Sequence, residues 1–222
     1  IKIGKYPILI HIIKIYMKFG FKSFYVLTGY KSHIIQNYFK NFKNFEKEFS
    51  YRIKNQTIRI TLLETGKKTM TGGRLKKIKK FLRKNETFMF TYGDALANIN
   101  LKRLLSFHKL NQSLITVTAV RPPARFGEIV IKDKKVFSFK EKPQVTKGWI
   151  NGGFFVAQEK FLNLIKGAKS ILEKEPLEKA AKSRKFTAYK HNHFWKCMDT
   201  KRDKDELEKL IKKPLYKKKL GI

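Results

Sequence analysis

Two aspartates stand where acidic side chains could do chemistry. Asp94 follows Thr87–Tyr92 (TFMFTY) and Gly93, and Asp199 follows Phe194–Met198 (FWKCM). Each acid therefore comes just past an apolar, strand-like run. A carboxylate beyond the C-terminal end of a buried parallel strand lies in the crevice where open α/β sheets bind their ligands. If both runs end at one crevice, the pair makes a site for a hard cation. Magnesium takes oxygen ligands, commonly one or two carboxylates plus substrate phosphates. The plainer alternative makes Gly93-Asp94 a turn and Asp199 an aid to the helix that follows it. A second candidate is Thr65–Gly73 (TGKKTMTGG) running into Arg74. Such a loop delivers backbone N–H groups and a helix start to one place, which suits a phosphate or a nucleotide base. An ordinary strand-to-helix connection also accounts for it. The two glycines in Trp149–Val156 (WINGGFFV) point to close approach of a ligand or another backbone, or to a bulge. With Lys142 at the tip of a hairpin, the set fits a phosphoanhydride held over a sheet edge.

These residues need elements to hold them. Pro7 opens a helix whose apolar positions run from Ile8 to Phe19, with Gly20 as the stop. Ser23–Thr28 reads as a buried strand, and Ser32 caps a helix through Phe39. Asn41–Gln56 is poorly periodic and reads as a surface excursion. Thr57–Glu64 is a strand, and Arg74–Leu82 a helix. Thr87–Tyr92 reads as a strand buried on both faces, in mid-sheet. Asn100 caps a helix through Asn111, on which His108 is a packing or surface residue rather than a catalytic one. Leu114–Val120 is a buried strand. Phe126–Ile131 and Val136–Phe139 form a hairpin. Helical patterns cover Gln158–Ile165 and Glu175–Lys182, with short strands at Phe186–Lys190 and Phe194–Met198. Thr200 and Asp203 have capping-box spacing ahead of a helix over Lys201–Ile211. The basic tail Lys212–Ile222 reads as partly disordered. Strands alternating with helices argue for an α/β fold with a mainly parallel sheet.

The 222 residues carry a net charge of +34 and 42% hydrophobic residues, enough apolar content for a core. The charge would attract nucleic acid or phosphorylated small molecules. The lysines, however, are dispersed along the chain, as compositional bias would leave them, and the aromatics sit in core-like runs. One cysteine, Cys197, excludes an internal disulfide framework and a cysteine zinc cluster, and fits a cytoplasmic setting. No apolar run is long enough to cross a bilayer.

In order along the chain, PILIHIIKIY, TGYKSHIIQNYF, ETGKKTMTGGRLKKI, FMFTYGDALANI, FHKLN, RPPARFGEI, FKEKP, INGGFFV and FWKCMDTKRDKDELE resemble the sugar-1-phosphate nucleotidyltransferases. The closest resemblance is to the glucose-1-phosphate cytidylyltransferases of CDP-sugar synthesis. It implies a Rossmann-like nucleotide-diphospho-sugar transferase fold over 1–222, a mixed sheet flanked by helices with a small β-rich lid. It implies CTP and glucose 1-phosphate as substrates, Mg²⁺ as cofactor, and CDP-glucose for O-antigen-type polysaccharide as product. It also implies a cytoplasmic homo-oligomer that binds neither membrane nor nucleic acid. By matching position, Asp94 and Asp199 are the metal-binding catalytic aspartates and Lys142 holds the sugar phosphate. Thr69, Gly72, Gly73 and Arg74 lie at the nucleotide, and Glu141, Asn151 and Gly152 at the sugar. One family feature has no counterpart. The family opens with a strand, a Gly-Gly-x-Gly-Thr-Arg loop and a Lys-Pro segment, whereas Ile1–Pro7 aligns just after these. The expectation is a fragment without the first strand or the phosphate cradle, turning CTP over slowly. The alternatives are a dTTP-, UTP- or GTP-using relative, a basic nucleic-acid-binding protein, or a non-catalytic remnant.

Overall fold

A computed structural model of the chain describes residues 1–40, 45–122, 128–132, 135–140 and 148–220. The helix Ile8–Met17 runs through the middle. Ile8, Ile10, Ile12, Ile13, Ile15 and Tyr16 on several of its faces are all buried. A helix apolar nearly all round must be covered on all sides. Ile10 and Ile13 pack on a three-stranded sheet, and Ile8, Ile12, Ile15 and Tyr16 pack on the core beneath the aspartates. Lys14 is buried too, its ammonium 3.8 Å from the centre of the Tyr6 ring. That is a cation–π contact.

The three-stranded sheet has Gln56–Glu64 at its centre. Ser23–Thr28 pairs with it in parallel and Glu48–Ile53 antiparallel. The strand Glu48–Ile53 was expected to be surface excursion. Phe49, Tyr51 and Ile53 alternate toward the core, and Lys54, in the left-handed region at φ 53°, turns the chain into the next strand. Helix Ser32–Phe39 lies where predicted. Lys31, not Ser32, is its cap residue, and no side chain caps it.

A five-stranded sheet centres on Ile115–Val120, every residue of which is buried. Phe186–His191 lies parallel to it, while Ile150–Asn151 and Phe155–Gln158 lie antiparallel. Asn151 faces Ala119 and Val156 faces Thr116, so Gly152 to Phe155 bulge against Val117 and Thr118 alone. Thr87–Phe90 pairs antiparallel with Phe155–Gln158 and has no second neighbour among the described residues. The mid-sheet, parallel placement expected for it does not hold there. The sheets are mixed, as expected, but parallel pairs are the minority among the described residues. Hairpins and the glycine bulge return the chain antiparallel over short distances.

Ser23–Thr28 and Thr87–Phe90, each at the end of its sheet, line one cavity of about 1050 Å³. Ile12, Tyr16, Phe24, Phe88 and Phe90 are among its walls. A close-packed interior holds few voids much larger than a water molecule.

The helices Leu101–Leu110, Glu175–Lys182 and Lys201–Lys212 match their predicted positions. Asn100 accepts from Arg103 N at 3.0 Å, and Thr200 and Asp203 form a complete capping box. The predicted helix after Gly73 is instead a short α-helix, Thr71–Lys76, followed by a 3-10 turn, Lys77–Phe81. Gln158–Ile165 is likewise 3-10, over Glu159–Leu164. The tail expected to be partly disordered forms the helix Pro214–Leu220, with Leu220 buried in the core. Glu128–Lys132 and Lys135–Lys140 pair as the predicted hairpin. Among the described residues, no helix is long and apolar enough to cross a membrane.

Candidate active site

The two aspartates are brought together by a ribbon that the sequence only half disclosed. Ala95–Ala97, wholly buried, pairs antiparallel with Trp195–Cys197, placing Cys197 opposite Ala95. Met198 N then donates to Asp94 O at 2.8 Å. Asp94 precedes one strand and Asp199 follows the other, so antiparallel pairing sets them at the same end. Partial enclosure raises the Asp94 carboxyl above its ordinary pKa, and the negative charge of Asp199 adds to the rise. Asp94 makes no ion pair among the described residues. Two like charges held side by side are what a divalent cation relieves, and two carboxylates match the donor set magnesium takes. Among the described residues no third acid, histidine or cysteine joins them as a metal-holding group.

Cys197 lies beside the pair, its Sγ 3.4 Å from Asp199 Oδ2. Burial, the bond to Asp199 and the nearby acids push the thiol up to about 11. That favours the protonated thiol, which donates to Asp199. On the far side, Asp199 N and Thr200 N donate to Asp203 Oδ2 at 3.3 and 3.0 Å. The helix cap thus fixes the backbone on which Asp199 stands.

The glycine-rich loop meets the site from the three-stranded sheet. Arg74 Nη1 donates to Thr28 O at 3.0 Å and to Thr65 Oγ1 at 2.6 Å, across the C-terminal ends of both parallel strands. Its guanidinium lies against Gly29, where a Cβ would come within 1.8 Å of Nη1. Thr69 Oγ1 donates to Thr65 O at 2.5 Å within the loop. Gly72 and Gly73 are glycines because of backbone packing. A Cβ would stand 2.8 Å from Ser170 O at Gly72 and 2.5 Å from Ala168 O at Gly73. Gly73 N donates to Ser170 O at 3.1 Å, so that N–H, expected to be offered to a ligand, is already used.

The glycine bulge closes the third side. Gly152 is pressed on Val120 Cγ1, 2.6 Å from where its Cβ would be, and its carbonyl accepts from Trp195 Nε1 at 2.8 Å. That bond ties the bulge to the aspartate ribbon. Gly153 takes φ 71° beside the Tyr92 ring. Asn151 is exposed, with Nδ2 donating to Tyr92 OH at 3.1 Å and Oδ1 accepting from Gly153 N at 2.9 Å. Both meanings of the two glycines hold, since they form a bulge and admit close contact, here from protein. Glu141 and Lys142 lie outside the described residues.

Three side chains at the site escaped the sequence: Tyr92, Glu173 and Trp195. Tyr92 looked like one more apolar strand residue. Glu173 belongs to no periodic pattern, and its partners lie far away in the chain.

Residues 1–203 match the family model described as nucleotidyl transferase. The chain is similar to the glucose-1-phosphate cytidylyltransferase of Salmonella typhimurium, 38% identical over 223 residues, covering 96% of this chain and 87% of that protein. It is 37% identical over 218 residues to the probable glucose-1-phosphate cytidylyltransferase of Bacillus subtilis, covering 94% of this chain and 85% of that protein. In fold it resembles the crystal structure of HddC from Yersinia pseudotuberculosis, with a TM-score of 0.69 at 18% identity over 94% of this chain and 87% of that one.

Proposed function

Because the chain belongs to the nucleotidyl transferase family, we propose that it transfers a cytidylyl group from CTP to glucose 1-phosphate, giving CDP-glucose and pyrophosphate. The observation that carries the chemistry is the convergence of Asp94 and Asp199 at one end of one ribbon. The choice of CTP and glucose 1-phosphate rests on the similarity to the Salmonella and Bacillus proteins.

A phosphate oxygen of glucose 1-phosphate attacks the α-phosphorus of CTP in line. A new oxygen–phosphorus bond forms, the bond from the α-phosphorus to the bridging oxygen breaks, and pyrophosphate leaves with that oxygen. The nucleophile is already anionic and needs no general base, so the protein's task is alignment and charge neutralisation. Asp94 and Asp199 would hold Mg²⁺, which when bound neutralises phosphate charge. Arg74 has five N–H donors and, among the described residues, only Nη1 is engaged, which leaves it able to meet the nucleotide beside Thr69 and the Gly72-Gly73 start of the helix. Glu141, Asn151 and Gly152 serve the sugar, and Lys142 the sugar phosphate. The product would feed O-antigen-type polysaccharide assembly in the cytoplasm, made by a homo-oligomer.

Pyrophosphate release tests this. The chain is incubated with Mg²⁺, glucose 1-phosphate and each of CTP, dTTP, UTP and GTP in turn. CTP is expected to give the fastest release, above a control without sugar. Faster release with another nucleotide, or release independent of the sugar, would sink the assignment.

A further inference from the structure

Glu173 bridges two parts of the site that the chain separates widely. Thr71 Oγ1 donates to Glu173 Oε2 at 2.8 Å, and Tyr92 OH donates to Glu173 Oε1 at 2.6 Å. Thr71 opens the glycine-rich helix, and Tyr92 follows the strand that leads to Asp94. An ionised carboxylate only accepts, so one charge sets the direction of every bond beyond it. Thr71 must give its proton to Glu173, and its oxygen accepts from Leu172 N at 2.9 Å. Tyr92 must do likewise, so its oxygen is left to accept from Asn151 Nδ2 at 3.1 Å. The Asn151 amide is thus held from both ends, its nitrogen donating to Tyr92 and its oxygen accepting from Gly153 N, 2.9 Å away. Burial, and then the bond to Glu173, raise the Tyr92 pKa, which keeps the hydroxyl a donor at all physiological pH.

We propose that Glu173 is a positioning residue that couples the two halves of the site, holding Thr71 at the nucleotide loop with one oxygen and, through Tyr92, fixing the amide of Asn151 toward the sugar. The ligand assignments rest on the proposed function; the relay itself does not. One Nδ2 proton of Asn151 goes to Tyr92, and the other remains for a sugar hydroxyl. Glu173→Gln puts one weaker, neutral acceptor and one donor in place of the carboxylate, so Tyr92 either turns round or donates to a weaker acceptor, and the order fixed by the charge is lost or loosened. An ordinary stabilising contact would not transmit its loss to Gly153.

The test follows the Gly153 amide in ¹H–¹⁵N spectra of the ligand-free chain. Glu173→Gln and Tyr92→Phe are each expected to shift that resonance well beyond its line width. The double variant is expected to move it no further than Tyr92→Phe alone, because Glu173 acts through the tyrosine. The same resonance then reports a titration with glucose 1-phosphate, whose midpoint should rise about fivefold in Glu173→Gln, as for one lost hydrogen bond. A Gly153 amide that ignores Glu173→Gln, an additive double variant, or an unmoved midpoint overturns the proposal. If the unsubstituted chain fails to bind glucose 1-phosphate, the sugar assignment falls, and the ligand-free spectra still decide the relay.

Discussion

Asp94 is set against itself at neutral pH. Its carboxyl is raised by enclosure and by Asp199, so the folded chain holds that proton more tightly than the unfolded chain does. Stability therefore falls as pH rises from the ordinary carboxylate range through the raised value. Asp94→Asn removes the penalty. It is expected to raise the thermal midpoint at pH 7 above that of the unsubstituted chain, with the gain shrinking as the pH falls through the raised value and gone below the ordinary carboxylate range. The same change should cost about a hundredfold or more in pyrophosphate release, because charge stabilisation in the transition state is lost. Melting curves across pH, read beside turnover, check both signs; a variant that loses stability at pH 7 contradicts the repulsion. The two acids were legible because each ends an apolar run. Glu173 was not: a bridge to Thr71 and Tyr92 leaves no local spacing to read.

Among the elements, the aspartate ribbon is held from behind by a helix cap. Thr200 Oγ1 accepts from Asp203 N, and Asp203 Oδ2 accepts from the backbone of Thr200 and Asp199. Thr200→Ala should cost about 1 kcal/mol, read as a lower urea midpoint at unchanged slope. It should also slow turnover, since the backbone of Asp199 loses its tether to a settled Asp203. Unchanged turnover would confine the cap to stability. This box was plain in the sequence, as was the Asn100 cap, since both depend on residues three apart. Glu48–Ile53 carried its alternation of Phe49, Tyr51 and Ile53 but was obscured by the irregular stretch before it. The helix Pro214–Leu220 could not be read locally, because Leu220 is anchored by a core assembled from distant segments. The strand order around Ile115–Val120 was hidden for the same reason, as neighbours in a sheet need not be neighbours in sequence.

For the molecule as a whole, the cavity flanked by Ser23–Thr28 and Thr87–Phe90 governs behaviour in solution as well as at the site. Among the described residues each strand is paired on one side only, and rows of unsatisfied N–H and C=O groups recruit strands from other molecules. The net charge of +34 opposes such encounters at low ionic strength, while at about 0.5 M salt the repulsion is screened within a few ångströms. Sedimentation is therefore expected to show larger species as salt is raised, the reverse of assembly held by ion pairs; a distribution that shrinks or stays constant would contradict this. Colloidal stability of this chain is then borrowed from its lysines, and neutralising them by acetylation should precipitate it even where every site residue is intact.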